Sequence, residues 1–273
     1  MENIVVVRGA GDLASGIINR LSKCGYKVVA LEIDRPMAIR RKVSYSEAIY
    51  EGEVSIEGIE CKFCKGIQDI ENTLNQNKVA LVIDEKGKYI EKLKPNILID
   101  SILAKKNLGT NKDMANLTIA LGPGFIAGAD IDFVIETMRG HNLGRIITKG
   151  EAKKNTGIPG SINGVSKDRV VYSEASGRIK NLSEIGDIVK HGQVLAYIID
   201  NDENRTEVKA TIDGILRGII RDGSEIPKKL KILDIDPRLD ELENCYTISD
   251  KARCLAGSVL EVILSERNKS LKI

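Results

Sequence analysis

The feature that most limits the fold is an unbroken apolar run, Ile4 to Val7, which ends directly at Arg8-Gly9-Ala10-Gly11-Asp12. A strand without polar alternation is typical of the centre of a parallel sheet, where both faces are buried. A helical pattern follows from Leu13 to Leu21 and stops at Cys24-Gly25, and a second strand covers Lys27 to Ile33. Strand, helix and strand form one βαβ unit, which predicts an α/β domain.

Later segments extend this pattern. Val79 to Ile83, Ile97 to Ile99 and Leu117 to Leu121 are apolar runs that predict further buried strands. Between them, Val54 to Glu60 alternates apolar and polar residues beside glycines, which predicts an exposed hairpin. The apolar spacing from Asp130 to Met138 predicts a helix.

Beyond Val165 the helical periodicity ends, and short strands alternate with glycine turns. An internal repeat is visible, because Gly177 precedes Gly186 and Gly214 precedes Gly223 at the same offset of nine residues. Two such halves cannot each bury an apolar face alone, so they are expected to interlock. The side chains expected in one shared core are Ile179, Val189, Leu216 and Ile226, while Asp187 and Glu225 are expected in solvent.

The sequence therefore predicts an α/β fold class with three parts. Residues 1–164 are expected to form a Rossmann-like, mostly parallel sheet domain, with a loop over 156–164. Residues 165–240 are expected to form a small all-β domain, and residues 241–273 a helical segment that packs back on the body. Ser249 is placed to cap the start of that helix.

Composition excludes several classes of protein. A net charge of only +2, from 41 basic and 39 acidic residues, provides no electrostatic footprint for nucleic acid or an anionic membrane. Aromatic residues make up 4% of the chain, too few for base-stacking platforms. The odd number of cysteines, five, and the absence of a signal-peptide pattern indicate a cytoplasmic protein with free thiols.

The first glycine turn carries the strongest functional signal. Gly9-x-Gly11-x-x-Ala14 has the G-x-G-x-x-A form between a strand and a helix, where backbone amides approach a phosphate. Glu32 and Asp34 close the next strand at the spacing of a ribose-binding carboxylate. Asp12 either caps the helix or repels a phosphate. The turn thus indicates a nucleotide-like ligand, with a purely structural tight turn as the alternative.

Other residues are expected at the same edge of the sheet. Gly122 and Gly124 follow a predicted strand, although a rigid turn explains them equally well. Four basic side chains are candidate donors to an anionic ligand, with solvated surface charge as the alternative interpretation: Arg40, Arg41, Arg139 and His141.

Cys61 and Cys64 form a lone C-x-x-C pair. Because a second pair at zinc-ligand spacing is missing, incidental thiols are favoured over half a metal site or a redox dithiol. No metal site is predicted. No catalytic residue is assigned, since the chain carries only two histidines and no Ser-His-Asp, H-E-x-x-H or Walker A arrangement.

Segments distributed along the chain resemble the selenium-dependent molybdenum hydroxylase system protein (YqeB) family. The matching segments are Val7 to Gly16, Pro36 to Arg41, Glu47 to Gly52, Leu121 to Phe125, Glu136 to His141, Asn155 to Gly160, Asp234 to Arg238 and Ile248 to Arg253. The resemblance implies an accessory or maturation factor for molybdenum hydroxylases, which binds a molybdopterin-type cofactor and contacts a client hydroxylase.

Residues 165–240 separately resemble a biotinyl/lipoyl-like barrel-sandwich hybrid, through segments such as Gly177 to Ile179 and Ile185 to Val189. Carriers of that type present a lysine at a hairpin tip, which here corresponds to Asp200 to Arg205 and has none. Lys209 is expected within a strand. The resemblance therefore implies a docking or packing module without covalent biotin or lipoate.

Three functions remain open at the level of sequence. The first is an accessory factor that binds a molybdopterin-type or nucleotide-bearing cofactor on the α/β domain. The second is an NAD(P)-dependent oxidoreductase that uses the same glycine turn for a dinucleotide. The third is a swinging-arm carrier, which the missing lysine disfavours. The expected partners are a small-molecule cofactor and a client hydroxylase, with neither nucleic acid nor membrane, and a homo-oligomer is compatible with the sequence.

Overall fold

The computed structural model describes residues 4–157 and 164–270, and these form two compact units. The first unit contains residues 4–36, 44–156 and 248–270, and the second contains residues 37–43, 157 and 164–247. The sequence boundaries at 164/165 and 240/241 differ from this division, because 37–43 and 241–247 belong with the second unit and 248–270 belong with the first. Most of the predicted loop over 156–164 lies outside the described residues.

The first unit contains eleven strands and five α-helices. The strands are β1 (Ile4–Arg8), β2 (Lys27–Glu32), β3 (Glu53–Ile56), β4 (Ile59–Cys64), β5 (Val79–Ile83), β6 (Ile97–Asp100), β7 (Leu117–Leu121), β8 (Ile126–Ala127), β9 (Phe133–Ile135), β10 (Ile146–Ile147) and β11 (Gly150–Glu151). The helices are α1 (Asp12–Lys23), α2 (Ala48–Glu51), α3 (Ile67–Asn75), α4 (Lys88–Leu93) and α5 (Asp250–Ser270). Short 3₁₀ helices cover Tyr45–Glu47 and Lys112–Met114.

Nine of these strands form one sheet in the order β10-β9-β7-β6-β1-β2-β5-β4-β3. β1 lies in the middle and pairs in parallel with β2 and β6, with Val6 opposite Val29 on one side and Leu98 on the other. All five β1 side chains are buried, because helices cover both faces of the sheet. The apolar run Ile4 to Val7 thus occupies the central position that its pattern predicts, and its carboxyl end opens at the middle of one sheet edge.

Different helices cover the two faces. Val5 and Val7 share a core with α1 and α5, whereas Val6 lies in a second core with α3 and α4. α1 and α5 pack so closely that a Cβ on Gly16 would lie 2.8 Å from the Cβ of Ala252. Ser249 caps α5 as predicted, since its Oγ accepts a hydrogen bond from the Ala252 amide at 3.2 Å.

The predicted helix from Asp130 to Met138 is wrong. This segment forms β9, which pairs in parallel with β7 and antiparallel with β10. Val134 and Ile135 are both buried, one on each face of the sheet. A short run that is apolar on both faces of a strand also fits a helical period, so periodicity alone cannot distinguish the two. The hairpin predicted over Val54 to Glu60 is confirmed as β3 and β4.

The predicted fold class is also wrong. The first unit is a large mixed sheet, because β3 and β10 add antiparallel strands at its two ends. The described connections from β6 to β7 and from β7 to β9 contain no α-helix, unlike the repeated βαβ units of a Rossmann-like domain. The second unit contains small antiparallel sheets, and the predicted biotinyl/lipoyl-like barrel-sandwich hybrid is not shown.

Eight strands build the second unit. They are β12 (Val170–Tyr172), β13 (Gly177–Asn181), β14 (Ile188–Val189), β15 (Val194–Ile199), β16 (Arg205–Lys209), β17 (Gly214–Ile219), β18 (Glu225–Ile226) and β19 (Lys231–Asp236), with 3₁₀ helices at Arg41–Val43 and Leu242–Cys245. Two four-stranded sheets result, in the orders β12-β19-β17-β14 and β16-β15-β13-β18.

The internal repeat is confirmed by reciprocal contacts between its halves. The Gly186 amide donates to Leu216 O at 2.9 Å, and the equivalent Gly223 amide donates to Ile179 O at 2.8 Å. The short strand of each half also pairs with a strand of the other half. β14 of the first half pairs with β17 of the second, and β18 of the second half pairs with β13 of the first. The four predicted core side chains lie in one cluster, while Asp187 and Glu225 are exposed. Neither half therefore completes its sheet alone.

The shared core predicts a strong position dependence for truncations in the two short strands. Ile226→Ala should lower the free energy of unfolding by about 2–4 kcal/mol, because the buried side chain leaves a cavity. Ile188 is 63% exposed, so Ile188→Ala should change the free energy of unfolding by less than about 0.5 kcal/mol. Urea unfolding of the full chain measures both, and equal losses would contradict the shared core.

Candidate functional site

The glycine turn after β1 lies between its two neighbouring strands. The Gly9 amide donates to Leu31 O at 2.7 Å, and the Ser101 amide donates to Arg8 O at 2.9 Å. Gly9 has a φ of +94°, and a Cβ at this position would lie 2.9 Å from Ser101 O. Both the left-handed backbone and this close approach require glycine.

Gly11 has a different environment. It is the N-cap of α1 with an extended backbone, φ −71° and ψ −175°, which any residue can adopt. Among the described residues, no heavy atom lies within 4 Å of a Cβ built there, and no side chain caps the helix from this position. The first hydrogen bond of the helix runs from the Ser15 amide to Gly11 O at 2.8 Å. The backbone amides before Ser15 therefore have no i→i−4 partner within the helix. The start of α1 therefore faces open space with its positive end.

Glu32 lies at the end of β2, but its carboxylate points into the glycine turn. Its Oε2 accepts from the Ala10 amide at 2.8 Å, and its Oε1 accepts from the Ile33 amide at 2.9 Å. Burial raises the pKa of Glu32 above its ordinary value, and these two hydrogen bonds oppose that shift. The side chain predicted to bind a ribose thus holds the turn in place.

The loops after β6 and β7 contact each other at the same sheet edge. A Cβ on Gly122 would lie 2.7 Å from Thr137 Oγ1, and one on Gly124 would lie 2.6 Å from Lys106 Cα. Both glycines have positive φ, at +77° and +110°. These contacts connect the carboxyl ends of β6, β7 and β9 into one rim, which continues to the Gly9 turn through Ser101.

Charged side chains complete this rim. Arg139 follows β9 and forms a two-point ion pair with Asp250, with Nη1–Oδ2 and Nη2–Oδ1 distances of 2.8 and 3.0 Å. This hydrogen-bonded pairing raises the pKa of Arg139, and the negative charge of Asp12 adds to the shift. The electrostatic influence of Asp12 on Arg139 indicates that Arg139 lies near the start of α1. We call the sheet edge formed by residues 9–12, 101–106, 122–124, 136–139 and 250–251 the carboxyl rim.

Lys251 is a rim residue that sequence reasoning missed. It is half-buried in the first turn of α5, and its pKa lies below the ordinary value because of burial and the nearby Arg139 charge. Asp12, Asp250 and Glu136 oppose this shift. The available signal was a lysine in the first turn of a helix, where the helix dipole disfavours a cation.

Ser101 is the second residue that the sequence did not indicate. It is 4% exposed, and its Oγ has no hydrogen-bond partner among the described residues. Ile97 and Ile99 belong to the core beneath α1 and α5, so strand alternation places Ser101 on that same face at the end of β6. A buried hydroxyl without a partner is costly in a folded chain.

Other predicted site residues have separate environments. Arg40 and Arg41 belong to the second unit, where Arg40 Nη2 donates to Asn244 O at 2.8 Å and Arg41 Nε donates to Ile219 O at 2.9 Å. His141 is exposed beyond Arg139. Ala14 is 1% exposed and packs in the core beneath α1, which fits the close packing expected of a small residue there.

The C-x-x-C pair does not form a joint site. Cys61 and Cys64 lie on β4, and their thiols belong to the cores on opposite faces of the sheet. Burial raises the pKa of both thiols, which disfavours the reactive thiolate. Across the described residues, no group of three or more His, Cys, Asp or Glu side chains could hold a metal ion. None of the described helices combines the length and apolar character that crossing a membrane requires.

The chain is 41% identical over 271 residues to the Escherichia coli K12 protein named "Uncharacterized protein YqeB", covering 99% of this chain and 49% of that protein. This similarity covers nearly all of the chain and supports its resemblance to the YqeB family. The chain spans about half the length of the relative that it matches, and the relative's name assigns no activity. A scan against protein-family models found no match.

The solved structures that match this chain have low sequence identity and low TM-scores. The product-bound ectoine utilization protein EutE (DoeB) from Ruegeria pomeroyi is 12% identical, with 85% of this chain and 57% of that chain covered and a TM-score of 0.25. An aspartoacylase family protein from Mesorhizobium loti is 8% identical, with coverages of 86% and 85% and a TM-score of 0.31. A succinylglutamate desuccinylase from Silicibacter sp. TM1040 is 12% identical, with coverages of 85% and 84% and a TM-score of 0.27.

The two turn glycines are expected to differ in how much an added methyl group destabilises the fold. Gly9→Ala should lower the free energy of unfolding by about 1–3 kcal/mol, because it combines a left-handed φ with a backbone clash. Gly11→Ala should cost less than about 1 kcal/mol, the difference between glycine and alanine at an N-cap. Chemical denaturation distinguishes them, and similar losses at both positions would show that Gly11 is structurally constrained as well.

Proposed function

We propose that the first unit binds a molybdopterin-type or nucleotide-bearing cofactor at the carboxyl rim and that the chain acts as an accessory factor for selenium-dependent molybdenum hydroxylases. The observation that carries this proposal is the open space over Gly11 at the uncapped start of α1. Helix amides that precede the first i→i−4 bond bind phosphate groups readily. The client-enzyme part of the proposal comes from the resemblance to the YqeB family.

The residues present fit the anionic part of such a cofactor. A side chain at position 11 would fill the space that a phosphate needs, and glycine leaves that space open. The amides of Gly11, Leu13 and Ala14 would hold the phosphate, and Arg139 would contribute positive charge beside Asp12. When bound, the cofactor would supply the molybdenum chemistry of the client enzyme, while this chain binds and orients it.

The NAD(P)-dependent alternative lacks a supporting observation. In that function, a carboxylate at the end of the second strand binds the ribose hydroxyls. Here both oxygens of Glu32 already accept backbone amides of the turn. The experiment below therefore includes release of a dinucleotide as the result that would support an NAD(P)-dependent oxidoreductase.

Purified protein should release its small molecule on mild denaturation, and absorbance and mass spectrometry identify that molecule. A released pterin supports the proposal. A released dinucleotide supports the oxidoreductase alternative instead, and a covalent mass increment on the chain would indicate a carrier. A protein that neither releases nor binds a pterin or nucleotide contradicts ligand binding at the rim.

Gly11→Val should weaken binding of the released ligand at least tenfold, about 1.4 kcal/mol, because its branched side chain occupies the phosphate position. Gly66→Val is the matched control, since Gly66 is also an extended N-cap, of α3, with no described heavy atom within 4 Å of its Cβ position. Titration calorimetry measures affinity, and near-UV circular dichroism checks the fold. Unchanged affinity in Gly11→Val would reduce the turn to a structural element.

A further inference from the structure

Two helices begin at the carboxyl rim, although they lie far apart in the sequence. α1 starts at Asp12 and α5 starts at Asp250, and they cross close to these starts, at Gly16 and Ala252. Each helix start carries a partial positive charge from its unpaired amides. Asp12, at the start of α1, interacts electrostatically with Lys251, at the start of α5, and with Arg139. These interactions indicate that the two helix starts lie near each other. Two positive helix ends at one place favour an anion there.

Lys251 adds a full charge at this place, against three unfavourable influences. It lies in the first turn of α5, it is half-buried, and Arg139 repels it. The described residues provide its ammonium with no ion pair within 4.0 Å, and its interactions with the rim carboxylates act over longer distances. A cation held in this way is stabilised if an anion binds beside it.

The carboxylates near Lys251 are occupied by other groups. Asp250 is held by Arg139, with both of its oxygens engaged. Glu136 accepts hydrogen bonds from the amides of Met138 and Lys153, each at 2.8 Å. Asp12 interacts with Arg139 as well as with Lys251. Because these carboxylates already have other partners, an anion from outside the chain could bind close to the Lys251 ammonium.

Ser101 provides an independent observation on the β6 side of the rim. Its buried Oγ has no partner among the described residues, and alternation along β6 places it on the face that α1 and α5 cover. The backbone amide of Ser101 donates to Arg8 O at 2.9 Å, directly before the Gly9 turn. A hydroxyl that is buried without a partner in the free protein gains one when a ligand oxygen approaches.

We propose that the carboxyl rim binds the phosphate group of a phosphorylated ligand, with Lys251 as its counter-ion and Ser101 as a hydroxyl donor. This inference rests on the proposed function and specifies which chemical group of the ligand the rim recognises. It assigns binding roles to two residues beyond the glycine motif. The phosphate lies where the N-terminal turns of α1 and α5 meet.

Inorganic phosphate is the probe, measured by titration calorimetry between about pH 8 and pH 10, where it stays a dianion. Lys251→Met should lower its affinity at least tenfold at pH 8, and Lys251→Arg should stay within threefold of wild type. Wild-type affinity should fall as pH rises through the lowered pKa of Lys251, with Arg139, Asp12, Asp250 and Glu136 as the other charged groups facing it. Lys251→Arg should flatten this dependence, because arginine keeps its charge. Lys65→Met, at an exposed lysine beside the start of α3, is the control and should change nothing.

Stability distinguishes a binding lysine from a structural one. The folded-state pKa of Lys251 lies below its unfolded value, so the charged form is disfavoured by folding and Lys251 lowers stability at neutral pH. Lys251→Met should therefore raise the melting temperature of the ligand-free protein, by about 2 °C. Ser101→Ala should weaken phosphate binding about threefold without lowering the melting temperature. A lower melting temperature in Lys251→Met would indicate a structural role and overturn the proposal.

These measurements distinguish a wrong role for Lys251 from a wrong assignment of cofactor binding to the rim. Equal phosphate affinity in wild type and Lys251→Met overturns the role of Lys251 and leaves cofactor binding at the rim intact. A wild-type protein that binds neither inorganic phosphate nor a pterin or nucleotide overturns both.

Discussion

The carboxyl rim depends on the close packing of α1 against α5 at Gly16 and Ala252. A Cβ on Gly16 would lie 2.8 Å from the Ala252 Cβ and 3.0 Å from the Ala252 carbonyl oxygen, so the crossing has room for small residues only. Because α5 comes from the C-terminal part of the chain, this contact brings Asp250 and Lys251 beside a turn that begins at Gly9. A wider separation of the two helices would move Asp250 and Lys251 away from the glycine turn.

The central strands keep the rest of this edge rigid. Arg8 ends β1, and its guanidinium donates to Thr110, which in turn donates to the carboxylate of Asp100 at the end of β6. Burial raises the pKa of Asp100, while its hydrogen bonds and Arg8 oppose the shift. Arg8 and Asp100 also form a buried ion pair at 3.7 Å, and breaking such a pair is strongly destabilising because one charge remains without compensation. Beyond Asp100, the loop has left-handed backbones at Leu103 and Lys105, with φ of 61° and 63°, a strain that clusters at functional sites.

Local patterns in the sequence predicted local structure well. The unbroken run Ile4 to Val7, the alternating hairpin and the nine-residue glycine offset each report a property of the neighbouring residues, and each is confirmed. The sequence predictions were wrong where contacts between distant parts of the chain determine the secondary structure. Phe133 to Ile135 has an apolar spacing that also suits a helix, and only its position between β7 and β10 makes it a strand.

The candidate site shows the same limit. Gly9, Gly11 and Asp12 are neighbours in sequence, so the motif identifies them without tertiary information. Lys251 reaches the rim only through the packing of α5, and the pattern of its own helix does not reveal the partner. Glu32 has the expected position at the end of β2, but the direction of its carboxylate depends on the Ala10 amide.

The most direct test of the rim as an anion-binding site is backbone amide NMR of the full chain during titration with inorganic pyrophosphate. Amides that bind an anion shift with ligand concentration, whereas remote amides do not. The rim predicts saturable shifts for Gly11, Leu13 and Ala14 at the start of α1 and for Lys251 at the start of α5, with Gly66 at the start of α3 unchanged. Saturable shifts confined to another surface, with the amides of Gly11 and Lys251 unmoved, would contradict it.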